Sequence, residues 1–140
     1  MIRYVALGCA GLISALAFPS PALADPCKAP LPSRAGQVFA GQVRYVGDGD
    51  SLCVGLTADP ADWIEVRLAD FDAPELHSSE GSRAKDILAS LALGRVASCR
   101  AEMGRKGRVI VWDRVIARCR IGGAMVGSLL RAAGAPEGGR

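Results

Sequence analysis

In five stretches of the chain, apolar and polar residues alternate, and this pattern sets out a series of short strands. Gln37 to Val46 alternates with β-branched residues and predicts a strand. Gly47-Asp48-Gly49-Asp50 follows as a turn, since Gly and Asp both tolerate turn geometry. Leu52, Val54 and Leu56 mark a second strand, and Ala58 to Asp62 turns the chain. Trp63 to Leu68 predicts a third strand, with Ile64, Val66 and Leu68 on one face and Trp63, Glu65 and Arg67 on the other. The period then lengthens. Ala84, Ile87, Leu88 and Leu91 fall on one side of a helix running to about Leu93, with Ser79 as its N-cap and Gly94 as its stop. Val96 to Ala101 returns to alternation. Arg108 to Ile121 is strand-like, with a turn or kink near Trp112-Asp113. A short helix closes the series, with Met125, Val126, Leu129, Leu130 and Ala133 inward and Gly134 at its end. Strands dominate and helices intervene, so the class is α+β, mainly β. Five short strands with an intercalated helix fit a small OB-type Greek-key barrel.

The N-terminus breaks this pattern. Tyr4 to Phe18 is an uncharged, largely apolar run behind Arg3, broken by Pro19 and Pro21 and followed by Ala22-Leu23-Ala24. A run of this length is shorter than the ~20 residues that span a bilayer. It reads as a secretory signal, cleaved after Ala24. The expected organisation is a signal peptide over 1–24, a Pro/Ala-rich leader over 25–36, a domain over 37–134 and a flexible tail over 135–140. Mean hydropathy of the 140 residues is +0.23. Part of that excess belongs to the signal, and the chain beyond it has ordinary globular composition. The expected product is secreted or periplasmic, monomeric, and without stable membrane association once the signal is removed.

Export changes how the cysteines read. Cys27, Cys53, Cys99 and Cys119 lie beyond the signal, an even number in a small exported domain. They predict two disulfides, with three connectivities open. His77 is the single histidine and there is no CxxC pair, so zinc lacks a ligand set.

The net charge of +3 conceals a separation. Gly47 to Glu80 carries nine acids and one base, Arg67, whereas Arg95 to Arg120 carries eight bases and two acids. Two solvated faces attracting each other would account for this, and so would a cation site beside a phosphate grip. Asp48 and Asp50 do not form an EF-hand, because the further ligands and the glycine at the sixth position are missing.

Three blocks occur in order: Gly47-Asp48-Gly49-Asp50-Ser51, Val66-Arg67-Leu68-Ala69-Asp70-Phe71-Asp72-Ala73-Pro74-Glu75, and, after a helix, Trp112-Asp113-Arg114-Val115-Ile116-Ala117. Together they resemble the staphylococcal-nuclease-like (thermonuclease) family over roughly residues 39–134. Where the family has Tyr-Gly before the arginine, this chain has Trp112-Asp113. The resemblance implies a five-stranded OB barrel that hydrolyses phosphodiesters of DNA and RNA with Ca²⁺, Mg²⁺ being the other candidate. It implies that Asp50 and Asp72, with the backbone carbonyl of Ala73, hold the metal, and that Asp48 lies beside it, through water. Arg67 and Arg114 would grip the phosphate, and Glu75 would act as general base or position the water. Trp112 would offer an aromatic face to a base. These residue types suit the chemistry, because hard cations take oxygen ligands and forked guanidinium groups match phosphate. On the facing strands the resemblance implies, Cys99 would pair with Cys119. Cys53 has the opposite parity from Leu52 and Val54 and points away from the core, so the second expected pair ties Cys27 of the leader to it. The competing expectation is an OB-fold module of the same family that binds nucleic acid or another anion with weak catalysis or none.

Overall fold

A computed structural model of the chain describes residues 25–138. The proposed signal peptide lies outside the described residues. Seven strands and two α-helices follow one another: β1 (Val38–Asp48), β2 (Ser51–Gly55), β3 (Trp63–Leu68), α1 (Ser79–Ala92), β4 (Val96–Ala101), β5 (Ile110–Val111), β6 (Arg114–Ile121), β7 (Ala124–Met125) and α2 (Val126–Ala132). A single 3₁₀ turn, Pro60–Asp62, leads into β3.

β1 pairs antiparallel with both β2 and β4, β2 pairs with β3, and β4 pairs with β6. β3 then pairs parallel with β6, matching Val66, Arg67 and Leu68 to Val115, Ile116 and Ala117. That last pairing closes a five-stranded OB-type barrel. Closure leaves no free sheet edge among these five strands, which disposes of the main aggregation hazard of a small β domain. β5 and β7 are two-residue additions to β6.

The core follows the alternation in the sequence. Leu52, Val54, Val66, Leu68, Ala97, Ala101, Val115 and Ala117 all point inward and are buried. Leu88 and Ala92 of α1 and Val126 and Leu130 of α2 join the same cluster. Several details differ from expectation. The N-cap of α1 is Ser78, one residue before Ser79, because the Ser78 hydroxyl is the one that accepts the Gly81 N–H (2.9 Å). β2 ends at Gly55, so Leu56 is exposed rather than part of the strand. Ala133 is exposed, and Ala135 packs on the core in its place.

Both disulfides form as expected. Cys99 and Cys119 are register partners on β4 and β6, and their bond lies inside the barrel. Cys27 bonds to Cys53. Cys53 has the outward parity on β2 but is buried, because the leader covers it. The leader is a strap: Lys28 and Ala29 donate to the carbonyls of Pro60 and Trp63, and Gly36 donates to that of Ala101.

Candidate functional site

Strand register builds the site as rows across the outer surface of the barrel. Asp48 faces Ser51, Ser51 faces Arg67, and Arg67 faces Ile116. Arg114 stands two residues before Ile116 on the same outward side of β6, with the side chains of both arginines about three-quarters buried. The parallel pairing of β3 with β6 therefore brings the two arginines, 47 residues apart in sequence, to one cleft of about 480 Å³. Trp112, Arg105 and Asp72 line the same cleft.

The acids come from two loops. Gly49 and Asp50 form the turn between β1 and β2, where the Asp50 N–H donates to Asp48 Oδ1 (2.9 Å). Residues 69–78 form the loop between β3 and α1. Glycine is required at 49 by space: a Cβ there would lie 2.6 Å from the methyls of Ala73 and Ala84. The loops interlock, as Ala73 N–H donates to Asp50 Oδ2 (2.7 Å) and Leu68 N–H donates to the Asp50 carbonyl (2.8 Å). Gly81 lets the first turn of α1 press against the Glu75 carbonyl, which also accepts from Ser78.

Arg67 ties the acids together. Its Nη2 lies 2.5 Å from Asp72 Oδ1 and 3.3 Å from Asp50 Oδ2, and its Nη1 donates to the carbonyls of Leu68 and Phe71. Arg105 approaches Asp72 from the other side (3.7 Å), and Arg114 reaches Asp48 (3.9 Å). Burial and the neighbouring Asp48 charge raise the Asp50 carboxyl to about 7, against the pull of Arg67. Burial also pushes Asp48 upward, but hydrogen bonds from Asp50 and Ser51 and the charge of Arg114 outweigh it, and Asp48 lies below the ordinary value. The pair thus releases its last proton near neutral pH.

Such a donor set suits a hard cation. Its side-chain atoms are oxygens, two carboxylates already converge on one guanidinium nitrogen, and the Ala73 peptide is bonded directly to Asp50. Among the described residues, no group of three or more His, Cys, Asp or Glu side chains is gathered into a ready-made metal cage. Glu75 is exposed within the loop between β3 and α1, its backbone anchored. Trp112 is 86% exposed and has φ 59°, at the first position of the two-residue turn joining β5 to β6.

Several residues around the site carry no warning in the strand pattern. Glu65 has outward parity yet is only 5% exposed, because Asp25 of the leader lies over it. Burial, the hydrogen bond with Asp25 and the nearby acids raise Glu65 to about 8. Asp70 accepts the Gly127 N–H with one oxygen, while its buried Oδ1 has no partner among the described residues. Arg131 of α2 donates to the Asp70 carbonyl (2.7 Å), stacks over Phe71 and pairs with Glu137. The segment after Gly134 returns to the site, where Gly138 N–H donates to the Asp72 carbonyl (2.8 Å).

Comparison with known proteins adds a partial relationship. The chain is 40% identical over 73 residues to a micrococcal nuclease of Shigella flexneri, a match spanning 51% of this chain and 40% of that protein. It is 31% identical over 112 residues to Protein ParB of Escherichia coli, spanning 78% of this chain and 54% of that protein. The chain thus spans about half the length of the curated relatives it matches. No protein-family model matches it. The match to the micrococcal nuclease gives the chain a partial, nuclease-like relationship.

Proposed function

We propose that the protein is an exported nuclease that hydrolyses phosphodiester bonds of DNA or RNA with a divalent cation, Ca²⁺ in the first instance. One observation carries this reading: Arg67 and Arg114 line one cleft beside carboxylates from two interlocked loops. A surface that only bound anions would have no use for Asp72 in its lining, or for Asp50 and Asp48 against its two arginines.

Asp50, Asp72 and the Ala73 carbonyl are the proposed ligands, with Asp48 contributing through water. A cation held there would polarise a phosphoryl oxygen and screen its charge. Arg67 and Arg114 present guanidinium groups to the phosphate oxygens, where negative charge builds in the transition state. Glu75 accepts the proton of the attacking water. The water oxygen forms the new bond to phosphorus as the bond to one sugar oxygen breaks, and that oxygen is reprotonated from solvent. General-base help of this kind is worth about 10²–10⁴-fold. Trp112 stands at the rim as a stacking surface.

Two disulfides fit an oxidising compartment, and among the described residues no helix is long and apolar enough to cross a membrane. The disulfides support export.

A second reading, a nucleic-acid-binding barrel with little or no catalysis, is favoured by Trp112-Asp113 standing where the resembled family has Tyr-Gly. Incubating the purified protein with DNA and RNA, in Ca²⁺ and in chelator, separates the two. Cation-dependent cleavage that is lost in Glu75→Gln supports the nuclease, whereas binding without cleavage supports the module.

A further inference from the structure

β6 carries more arginine than the site uses. Val115, Ala117, Cys119 and Ile121 point into the core, so Arg114, Ile116, Arg118 and Arg120 form one outward line. Residues on one face of a strand are about 6.7 Å apart, which places Arg118 and Arg120 about 13 and 20 Å from Arg114. β4 runs alongside and sets Arg100 opposite Arg118, and Ser98 opposite Arg120.

Arg118 lines two hollows. One is the cleft that holds Arg67 and Arg114, and the other, of about 330 Å³, is lined by Ser98, Arg100 and Arg120 with Val38 and Met125. The site therefore continues along the outer face of the barrel through Arg118, with Ile116 set between it and Arg114. Like charges directly opposite on paired strands weaken a sheet. Arg118 is offset by Glu102 (2.7 Å). Arg100 and Arg120 donate only to the carbonyls of Gly36 and Gly123, and among the described residues neither forms an ion pair. Nothing in the packing of the barrel calls for two uncompensated arginines here, beside an exposed Val38.

We propose that the outer face of β4 and β6 is a track for the sugar–phosphate backbone of single-stranded nucleic acid, running from the Arg67–Arg114 cleft past Arg118 to Arg100 and Arg120. This rests on the nuclease reading and extends it: the preferred substrate is a polymer strand rather than a short phosphodiester. Arginines spaced along a flat strand match the extended, flexible backbone of a single strand, while Val38 and Met125 give sugars and bases an apolar floor. Phosphate contacts of this kind raise affinity without regard to sequence and weaken with salt.

The test compares wild-type protein, R100Q/R120Q, and the charge-matched control R83Q/K28Q, whose side chains are exposed on α1 and on the leader. Binding of a fluorescent thymidine oligonucleotide of about 20 nucleotides is measured in chelator between about 50 and 200 mM salt. In Ca²⁺, kcat/KM is measured for the same strand and for a thymidine dinucleotide. R100Q/R120Q is expected to bind the strand about tenfold more weakly, with a salt slope shallower by about 1.4, since each single-strand phosphate contact contributes about 0.7. Its kcat/KM falls on the strand and not on the dinucleotide, and R100K/R120K, which keeps the charge, recovers most of the loss. If R100Q/R120Q matches the control in affinity and slope, the track is overturned, even where both substrates are cleaved. Arginine-dependent strand binding by a wild type that cleaves neither substrate upholds the track and overturns the nuclease reading instead.

Discussion

Oδ2 of Asp50 accepts the backbone N–H of Ala73 at 2.7 Å, joining two loops whose contact residues lie 23 positions apart. The bond gives Asp50 a structural role and, in the proposed chemistry, a catalytic one. These roles separate by substitution. Asp50→Asn keeps an acceptor oxygen for Ala73 and removes a carboxyl that burial already disfavours as an anion. In chelator, D50N is expected to melt within about 2 °C of wild type. It should lose about 10³-fold in cleavage rate and lose the rise in melting temperature that Ca²⁺ gives wild type. Asp50→Ala also loses the acceptor and costs a further ~1–2 kcal/mol.

Asp50 and Asp48 set a pH threshold for cation binding. The Asp50 carboxyl titrates near 7, and its proton must leave for the oxygen to act as a ligand. Ca²⁺ affinity, measured by calorimetry, is expected to be flat above about pH 7.5 and to fall about tenfold per unit below about pH 7. The Asp48 charge is one cause of the rise at Asp50. D48N should therefore move the threshold to lower pH.

Glu65 gives stability a slope of known sign. Its folded value is about 8, against an ordinary 4.5. Below 4.5 both states hold the proton and the buried acid does no harm. As pH rises from 4.5 to 8, the unfolded chain releases the proton before the folded one does, so stability falls across that window and levels off above it. E65Q is expected to flatten the profile of melting temperature against pH and to melt higher than wild type at pH 8. A shallower fall ending near pH 7 remains, from Asp50. A profile as steep in E65Q as in wild type would refute the assignment.

Trp112 holds a left-handed φ of 59° that glycine adopts without strain, and its ring is exposed. W112G is expected to be as stable as wild type or up to ~1 kcal/mol more stable by urea titration. Loss of a stacking surface weakens single-strand binding by about five- to tenfold. A gain in stability alone, with unchanged affinity, would make Trp112 a turn residue only.

The strands and both helices were legible because one face of each is buried, and a period of two or of 3.6 is the direct trace of that burial. β3 and β4 agree with the pattern to the residue. The acids and arginines at the cleft stood out through the three blocks and their order, not through periodicity. What escaped was set by segments without periodicity. Glu65 reads as a solvent-facing strand residue until the leader, tied down at Cys27–Cys53, brings Asp25 over it. Asp70 and Arg131 meet only because α2 packs against the loop before α1. The arginine line of β6 was visible as charge, but its continuity with the cleft depends on the register of β4 against β6.

The central claim is that Asp72, Arg67 and Arg114 serve one hydrolytic site. The most direct measurement is kcat/KM for single-stranded DNA in Ca²⁺ and in chelator, for wild type, D72N and R114A. Wild type is expected to cleave only with the cation, and D72N and R114A to lose about 10²–10³-fold or more, with the fold intact by circular dichroism. Cleavage that persists in chelator, or that survives both substitutions, would contradict the account.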